Sequence, residues 1–566
     1  MSQPQTLIEA LQRAAALAPT RGLIFLDREE REVSAEWRDV FARAAAVAGG
    51  LRARGIREGD TVVSVFPTGP RFFDAFFGTL LAGAVPVPLY PPARLGRLLE
   101  YQARTAAMIT AVGARLVLTD SRTLPGLAET QERAKPEQGV VDVTLVTGPP
   151  CVRAGSPDDL ALVQFSSGTT TDPKPAALTH RNVLANVRAI HDVVREAGAD
   201  VVDHGVSWLP LYHDMGLIGC VFLALYHPGS LTLIPPDLFV ARPALWLRAL
   251  SRTRAPVSAA PNFAYALCTE RIRDEDMAGV DLSGWHLALN GSEPVSAATL
   301  RRFVTRFSRW GLRAEALTPV YGLAEATLAV TFSDWRRPFR TARFDRAALA
   351  DGRPVPAADG VELVSVGRPL AGMNVSAPID RVGPIRARGP SVMRGYLGQP
   401  ERTAATLVDG WLETGDLGFL HDGELYVCGR AKDVVILRGR NHAPSDIEQV
   451  VNDVPGVWTG GIAAVGYRPS DGDEERLLVF VEARHPKPDL ARRCREAVLG
   501  ALGLDPGLVV VLAPGTLPRT SSGKIRRGEA LARWSVGALV DAIEPWMLAG
   551  ELSGAAPPRG RGADGA

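Results

Sequence analysis

"FSSGTTTDPKPAALTH", residues 165–180, crowds hydroxyl side chains around Gly168 and then sets Lys174 between two prolines. The run before it, Leu160 to Phe165, is apolar and strand-like. After it, Val183, Val187, Ile190 and Val194 recur at helical spacing behind Thr179, an N-cap residue type. The stretch therefore reads as strand, hydroxyl-rich loop, helix. Backbone N–H groups and hydroxyls in such a loop can wrap phosphate oxygens, and Lys174 adds the positive charge they require. The Walker pattern G-x-x-x-x-G-K-[ST] is absent. Taken alone, the cluster also suits an ordinary surface loop, so its neighbours decide.

Moving outward, residues 1–430 alternate strand-like runs (61–66, 115–119, 231–234) with helical patterns such as Leu7 to Leu17. That is the α/β pattern of parallel sheets covered by helices. A smaller α/β unit follows: "DGELYVCGRAKDVVILRGRN" (422–441) reads as two strands around a polar turn, "DIEQVVNDV" (446–454) as a helix and "LLVFVEA" (477–483) as a strand. The division expected is 1–430 as a large N-terminal domain, 431–548 as a small C-terminal α/β domain and 549–566 as a disordered Pro/Gly-rich tail.

Sixty-three basic residues against 62 acidic ones leave a net charge of +1, which excludes a global field for nucleic acid or anionic membrane. Five dispersed cysteines without a CxxC spacing argue against a metal cluster or disulfide framework and for a reducing, cytoplasmic setting. The apolar stretches 72–90 and 217–234 are broken by Asp74, Pro86 and Pro88 and by His227, Pro228 and Gly229, so neither suits a membrane span. Only five of the 63 basic residues are lysines (135, 174, 432, 487 and 524), and Lys174, Lys432 and Lys524 fall inside motifs.

Three further segments carry chemistry. "TPVYGLAEATLAV" (318–330) sets Tyr321, Gly322 and Glu325 close together, which suits a purine-stacking ring beside a metal-binding carboxylate. "GWLETGDLGFL" (410–420) reads as a tight Gly-flanked turn in which Asp416 accepts both hydroxyls of a ribose. "LPRTSSGKIRR" (517–527) holds Lys524 on a Gly-hinged loop. Turn carboxylates often only cap and exposed lysines often only solvate, but all of these segments occur together in one chain.

In this order the segments resemble the adenylate-forming superfamily of acyl-CoA synthetases, peptide-synthetase adenylation domains and luciferases, over residues 5 to 545. "VPLYPP" (87–92), "SWLPLYHDMGLIG" (207–219), "APNFAYALC" (260–268), "LNGSEPV" (289–295) and "RGRNHAPSDIE" (438–448) are most similar to its fatty acyl-AMP ligases. The resemblance implies an ATP- and Mg²⁺-dependent enzyme that converts a fatty acid to acyl-AMP, releasing pyrophosphate, and then acylates the phosphopantetheine thiol of a separate acyl carrier protein. It implies a monomer without nucleic-acid partners.

By the same resemblance Lys524 bridges carboxylate and α-phosphate, and Ser167, Gly168, Thr169, Thr170 and Lys174 hold the phosphates. Glu325 carries Mg²⁺, Tyr321 and Gly322 meet adenine beside Gly291, Ser292 and Glu293, and Asp416 with Arg430 fixes the ribose. His213, Asp214 and Phe263 border the acyl pocket, and Lys432 is the hinge of a mobile C-terminal domain. Residues 339–360 occupy the place of an insertion that braces the two domains; a solvent-exposed linker is the other reading of that segment.

Adjacent His213 and Asp214, if in a strand, point to opposite faces and form no dyad. Thr171 and Pro175 stand where many relatives carry Gly, which bears on loop closure and ATP use. A fatty acyl-CoA ligase is the nearest alternative in chemistry, a non-catalytic protein that binds acyl-adenylate or the carrier is another, and amino-acid activation a third.

Overall fold

The computed structural model describes residues 3–92, 98–166, 174–197, 203–437, 440–467, 475–520 and 523–543. Ser167, Gly168, Thr169, Thr170 and Thr171 of the hydroxyl loop, and the tail 549–566, lie outside these described residues.

In the opening stretch the first strand and the helix form as read, but a second strand stands between loop and helix. Strand Leu160–Phe165 pairs antiparallel with strand Pro175–Thr179, and the Ser166 N–H donates to the Lys174 carbonyl at 3.1 Å. The strands therefore close the base of the loop between them. Pro175 opens its strand, a position where a missing N–H costs no ladder bond, and its carbonyl accepts from the Leu397 N–H at 2.9 Å. Helix His180–Glu196 begins at Thr179 with a full capping box to Asn182. Its residues Val183, Val187, Ile190 and Val194 are all buried.

Parallel pairing dominates the first part of the chain. Strands Thr61–Val65, Val85–Leu89, Leu116–Thr119 and Val140–Asp142 form one parallel sheet. Val257–Ala260, Leu287–Asn290 and Leu317–Gly322 run parallel in another. From Tyr321 onward the alternation fails: strands between Asn374 and Arg430 form an antiparallel sheet.

Asp416 is not in a turn. It lies within the 11-residue strand Trp411–His421, opposite Arg430. Gly415 takes φ +76°, which kinks the strand and shifts its pairing with strand Gly383–Arg388 without ending it. Nor are His213 and Asp214 in a strand: His213 precedes the short helix Asp214–Gly216, which continues into a π-helical stretch, Leu217–Phe222. The two strands of 422–441 belong to different sheets, Glu424–Arg430 pairing backward with Trp411–His421 and Val435–Leu437 forward with Arg440–His442.

Apolar side chains from Leu7 to Tyr426 fill the cores of the large part, with Trp37, Trp246 and Trp285 fully enclosed. Val435 to Ile543 form a core of their own around strands Ile462–Tyr467, Arg476–Glu482 and Pro506–Leu512. Residues 339–360 carry strand Thr341–Phe344 and helix Arg346–Ala350. Phe344 packs on Phe419 and Tyr426, and Asp351 pairs with Arg440 at 3.2 Å. Among the described residues no helix is long and apolar enough to cross a membrane.

Candidate active site

Three parallel strands end side by side, and in such sheets ligands gather at the carboxyl ends. Ala260 pairs with Asn290, and Asn290 with Pro319. The residues just beyond or at those ends are Phe263, the Gly291–Ser292–Glu293 turn and Tyr321 with Gly322. The close approach explains two glycines. A Cβ on Gly322 would lie 1.8 Å from the Leu328 carbonyl oxygen, and one on Gly291 2.7 Å from a Val320 methyl. Ser292 takes φ +74°, a left-handed conformation that a serine adopts only when its surroundings hold it there.

Polar groups cross-link these ends. The Phe263 N–H donates to Glu293 Oε1 at 2.6 Å. The Tyr321 hydroxyl donates to Asp416 Oδ2 at 2.7 Å, while Arg430 Nε lies 3.1 Å from Asp416 Oδ1. Burial raises the Asp416 carboxyl above its ordinary range, opposed by Arg430 and by the Tyr321 hydrogen bond. Asp416 is thus a carboxylate held between a hydroxyl and a guanidinium in one strand-borne position.

Toward the base of the hydroxyl loop, Lys174 lies with its ammonium 5.7 Å from the centre of the Tyr396 ring. The Tyr396 hydroxyl donates to Glu325 Oε1 at 2.9 Å. Burial pulls the Lys174 ammonium below its usual range; Glu325 counteracts this, and Lys432 and Arg430 add to it. Tyr396 escaped the sequence reading. Its signal was the run "RGYLGQP" (394–400), where a Gly-flanked aromatic precedes a helix-starting proline.

Lys524 comes from the separate core. Its N–H donates to the Thr520 hydroxyl at 3.1 Å, and its carbonyl accepts from the Thr520 N–H at 2.7 Å. Arg519 anchors this tight loop to buried Glu482 at 2.9 Å. Burial lowers the Lys524 ammonium; the charges of Glu293, Asp214 and Asp416 counteract that and Arg430 adds to it. Burial likewise raises both Asp214 and Glu293, with Lys524 opposing the rise in each. Lys524 therefore stands within electrostatic reach of residues from three separate segments of the large part.

On the apolar side, Trp208 stacks on Phe239 with centroids 3.9 Å apart and meets Phe263 edge-on at 5.9 Å. His213 is buried and, with Tyr90, Arg104, Ser166 and Thr520, lines a cavity of about 30 Å³. That is room for about one water. Lys432, exposed, stands between the two cores, in the link between Arg430 and Val435.

Among the described residues no cluster of three or more His, Cys, Asp or Glu side chains could hold a metal ion. A single buried carboxylate, Glu325, beside the Lys174 ammonium nevertheless fits Mg²⁺ that arrives on nucleotide phosphates, since that ion commonly takes one or two protein carboxylates and keeps phosphate and water for the rest.

Residues 11–397 match the family of AMP-binding enzymes. The medium-chain-fatty-acid–[acyl-carrier-protein] ligase JamA of Moorena producens is 34% identical, the match covering 98% of this chain and all of that one. The long-chain-fatty-acid–AMP ligase FadD26 of Mycobacterium tuberculosis is 35% identical over 88% of this chain and 91% of its own. The 4-hydroxyphenylalkanoate adenylyltransferase of Mycobacterium marinum is 32% identical over 94% and 91%.

Among solved structures, one from work on fatty acyl-adenylate ligases of E. coli and L. pneumophila has a TM-score of 0.86 at 32% identity, covering 94% of this chain and 97% of that one. A fatty acyl-adenylate ligase from L. pneumophila in complex with acyl adenylate and pyrophosphate has a TM-score of 0.72 at 31% identity, covering 96% and 97%.

Proposed function

The chain belongs to the AMP-binding enzymes, as an adenylate-forming ligase of the fatty acyl-AMP group, and from that premise we propose which residues carry the reaction and what it acts on. The acid is a fatty acid of medium or long chain, and the acceptor is the phosphopantetheine thiol of a separate acyl carrier protein. A carboxylate oxygen of the acid attacks the α-phosphorus of ATP, the bond to the β-phosphate breaks, and pyrophosphate leaves. The thiol then loses its proton to solvent, its sulfur attacks the acyl carbon, and AMP leaves with the bonding electron pair.

Neither step requires a strong base, so positioning and charge stabilisation supply most of the rate. Lys524 bridges the attacking carboxylate and the α-phosphate. Asp416, oriented by Tyr321 and Arg430, accepts the ribose hydroxyls. The Tyr321 ring, its hydroxyl already engaged, forms a wall for adenine beside Gly291, Ser292 and Glu293. Lys174 faces the outer phosphates with Ser167, Gly168, Thr169 and Thr170, and Tyr396 orients Glu325. Mg²⁺ held through Glu325 would offset phosphate charge. Phe263, His213, Asp214 and Trp208 border the acyl chain.

The reading includes two domains, 1–430 and 431–548, that rotate about Lys432 so that Lys524 withdraws before thiol transfer. The separate core from Val435 to Ile543 supports it. All five cysteines are free thiols, which suits a reducing cytoplasmic setting. The segment 339–360 braces the domains through Asp351 and Arg440, and its folded strand and helix argue against a bare linker.

The observation that carries this reading is that Lys524, from the small core, stands within electrostatic reach of Asp214, Glu293 and Asp416 of the large one. Acid-dependent ATP–pyrophosphate exchange tests it, over fatty acids of 8 to about 18 carbons, 4-hydroxyphenylalkanoates and amino acids. Exchange with fatty acids is the expected result. Exchange with none of these acids would favour a binding protein, and exchange confined to another class would reassign the substrate. Coenzyme A and a holo-carrier offered in parallel separate the two acceptors.

A further inference from the structure

The contacts that join the small core to the large part are notably ionic. Arg533 of helix Arg527–Ser535 lies 2.5 Å from Glu100 of helix Leu98–Ala111. Arg440 meets Asp351 at 3.2 Å, Arg302 meets Asp453 at 3.5 Å, and the Thr459 hydroxyl donates to Glu270 at 3.0 Å. The first contact has a special position, because its helix starts three residues after Lys524. Trp534 packs edge-on against Phe480 and ties that helix to the small core. Any force on the helix is therefore passed to the Lys524 loop.

One turn beyond Glu100 on the same helix stands Arg104. It lines the small interlobe cavity with Thr520, and its charge acts on buried Arg526. Arg526 and Arg533 are both paired with Glu529 on their own side, and the Arg533 guanidinium reaches Glu100 of helix Leu98–Ala111 while so held. Loss of solvent and the nearby Arg104 together lower Arg526 to about 10. One interface thus sets an attraction, Glu100 to Arg533, beside a repulsion, Arg104 against Arg526.

We propose that Glu100 and Arg104 are opposed positioning residues that set how firmly the C-terminal lobe stays closed over the site, Glu100 holding it shut through Arg533 and Arg104 easing it open against Arg526. This rests on the reading in which Lys524 is delivered for adenylation and withdrawn for transfer. A half-exposed ion pair supplies a weak hold, about five-fold in an equilibrium at most, which suits a contact that must break each turnover. Glu100 acts through the helix it faces, and Arg104 acts from the cavity it lines with Thr520.

The test uses the full chain with dodecanoate as acid. Glu100→Gln should lower the maximal rate of ATP–pyrophosphate exchange by about three- to five-fold, with transfer from preformed dodecanoyl-adenylate to pantetheine equal or faster. Arg104→Gln should shift the balance the other way, lowering the ratio of transfer to exchange about two- to three-fold. Glu100→Gln and Arg533→Gln combined should lose no more than either alone. Spin labels on cysteines introduced at exposed Ser121 and Leu499, in a chain whose native cysteines are changed to alanine, should report a larger open population for Glu100→Gln and a smaller one for Arg104→Gln.

Changes of the same sign in both variants, unaltered exchange in Glu100→Gln, or label distances that do not respond would each overturn the proposal. If the unaltered chain shows no acid-dependent exchange, the adenylation reading fails, while the label distances still decide whether the opposed pair sets closure.

Discussion

The proposed ribose end of the site and the Lys524 end are built in opposite ways. Asp416 sits inside a long strand, with its carboxylate bonded to Tyr321 and paired with Arg430, and its neighbours pack so closely that Gly322 admits no side chain. Lys524 sits on a loop held by short-range bonds to Thr520 and, through Arg519, to Glu482 of its own core, and that core shares ionic contacts with the rest. A seat for a nucleotide gains from rigidity, because its donors and acceptors then need no rearrangement when the ligand arrives. A charge required in one half-reaction and obstructive in the next must be delivered and removed. In the proposed function, the difference between the two ends is the difference between those tasks.

The sharpest way to break the comparison is Lys524→Ala. Pyrophosphate exchange should fall by about 1,000-fold, the scale for losing a group that stabilises developing charge, while transfer from preformed acyl-adenylate continues. Equal loss in both half-reactions would make Lys524 part of the fixed seat instead. Next comes Asp416→Asn, which should raise KM for ATP by roughly 10- to 100-fold, since a charged hydrogen-bond acceptor is lost; isothermal titration with ATP would read it. A smaller effect is expected on the acyl side, where Phe263→Ala should move the preferred chain length with about a 10-fold change in kcat/KM between neighbouring acids.

Acid acts with opposite sign on one helix of each core. In the large part, His180 Nδ1 accepts the Leu7 N–H at 3.1 Å, and burial depresses the ring to about 4. The unfolded chain binds that proton more readily, so stability rises with pH across the window from about 4 to 6.5 and is lost as pH falls through it, by about 3 kcal/mol. In the small part, burial raises Asp446 to about 6, so its contribution is present at low pH and is lost as pH rises from 3.8 toward 6. Hydrogen exchange, corrected for its intrinsic pH dependence, should show helix Leu7–Leu17 loosening on acidification while helix Pro444–Asn452 firms, and His180→Gln should flatten the first trend. Parallel trends in both helices would contradict the assignment.

The residues proposed for the seat were legible as local signals, Tyr321, Glu325 and Asp416 within short motifs and a hydroxyl-rich run after a strand, though the strand Pro175–Thr179 between that run and the helix was not foreseen. Helix Leu7–Leu17 and the Thr179 cap followed from periodicity and one side-chain type. What escaped was tertiary. Asp416 read as a turn residue because Gly415 marks a kink whether or not the strand continues past it. His213 read as strand because a short apolar run carries no length from which to separate strand from helix start. The Tyr321–Asp416 bond spans 95 residues and the Glu100–Arg533 pair 433, and no periodicity encodes such a meeting.

The most direct measurement is a crystal structure with a non-hydrolysable acyl-sulfamoyl adenosine. The account predicts adenine beside Tyr321 and Gly291, both ribose hydroxyls on Asp416, and the Lys524 ammonium within about 3 Å of the sulfamate oxygens. A nucleotide bound away from Asp416, or a ligand enclosed in this same closed arrangement with Lys524 turned from it, would contradict the account.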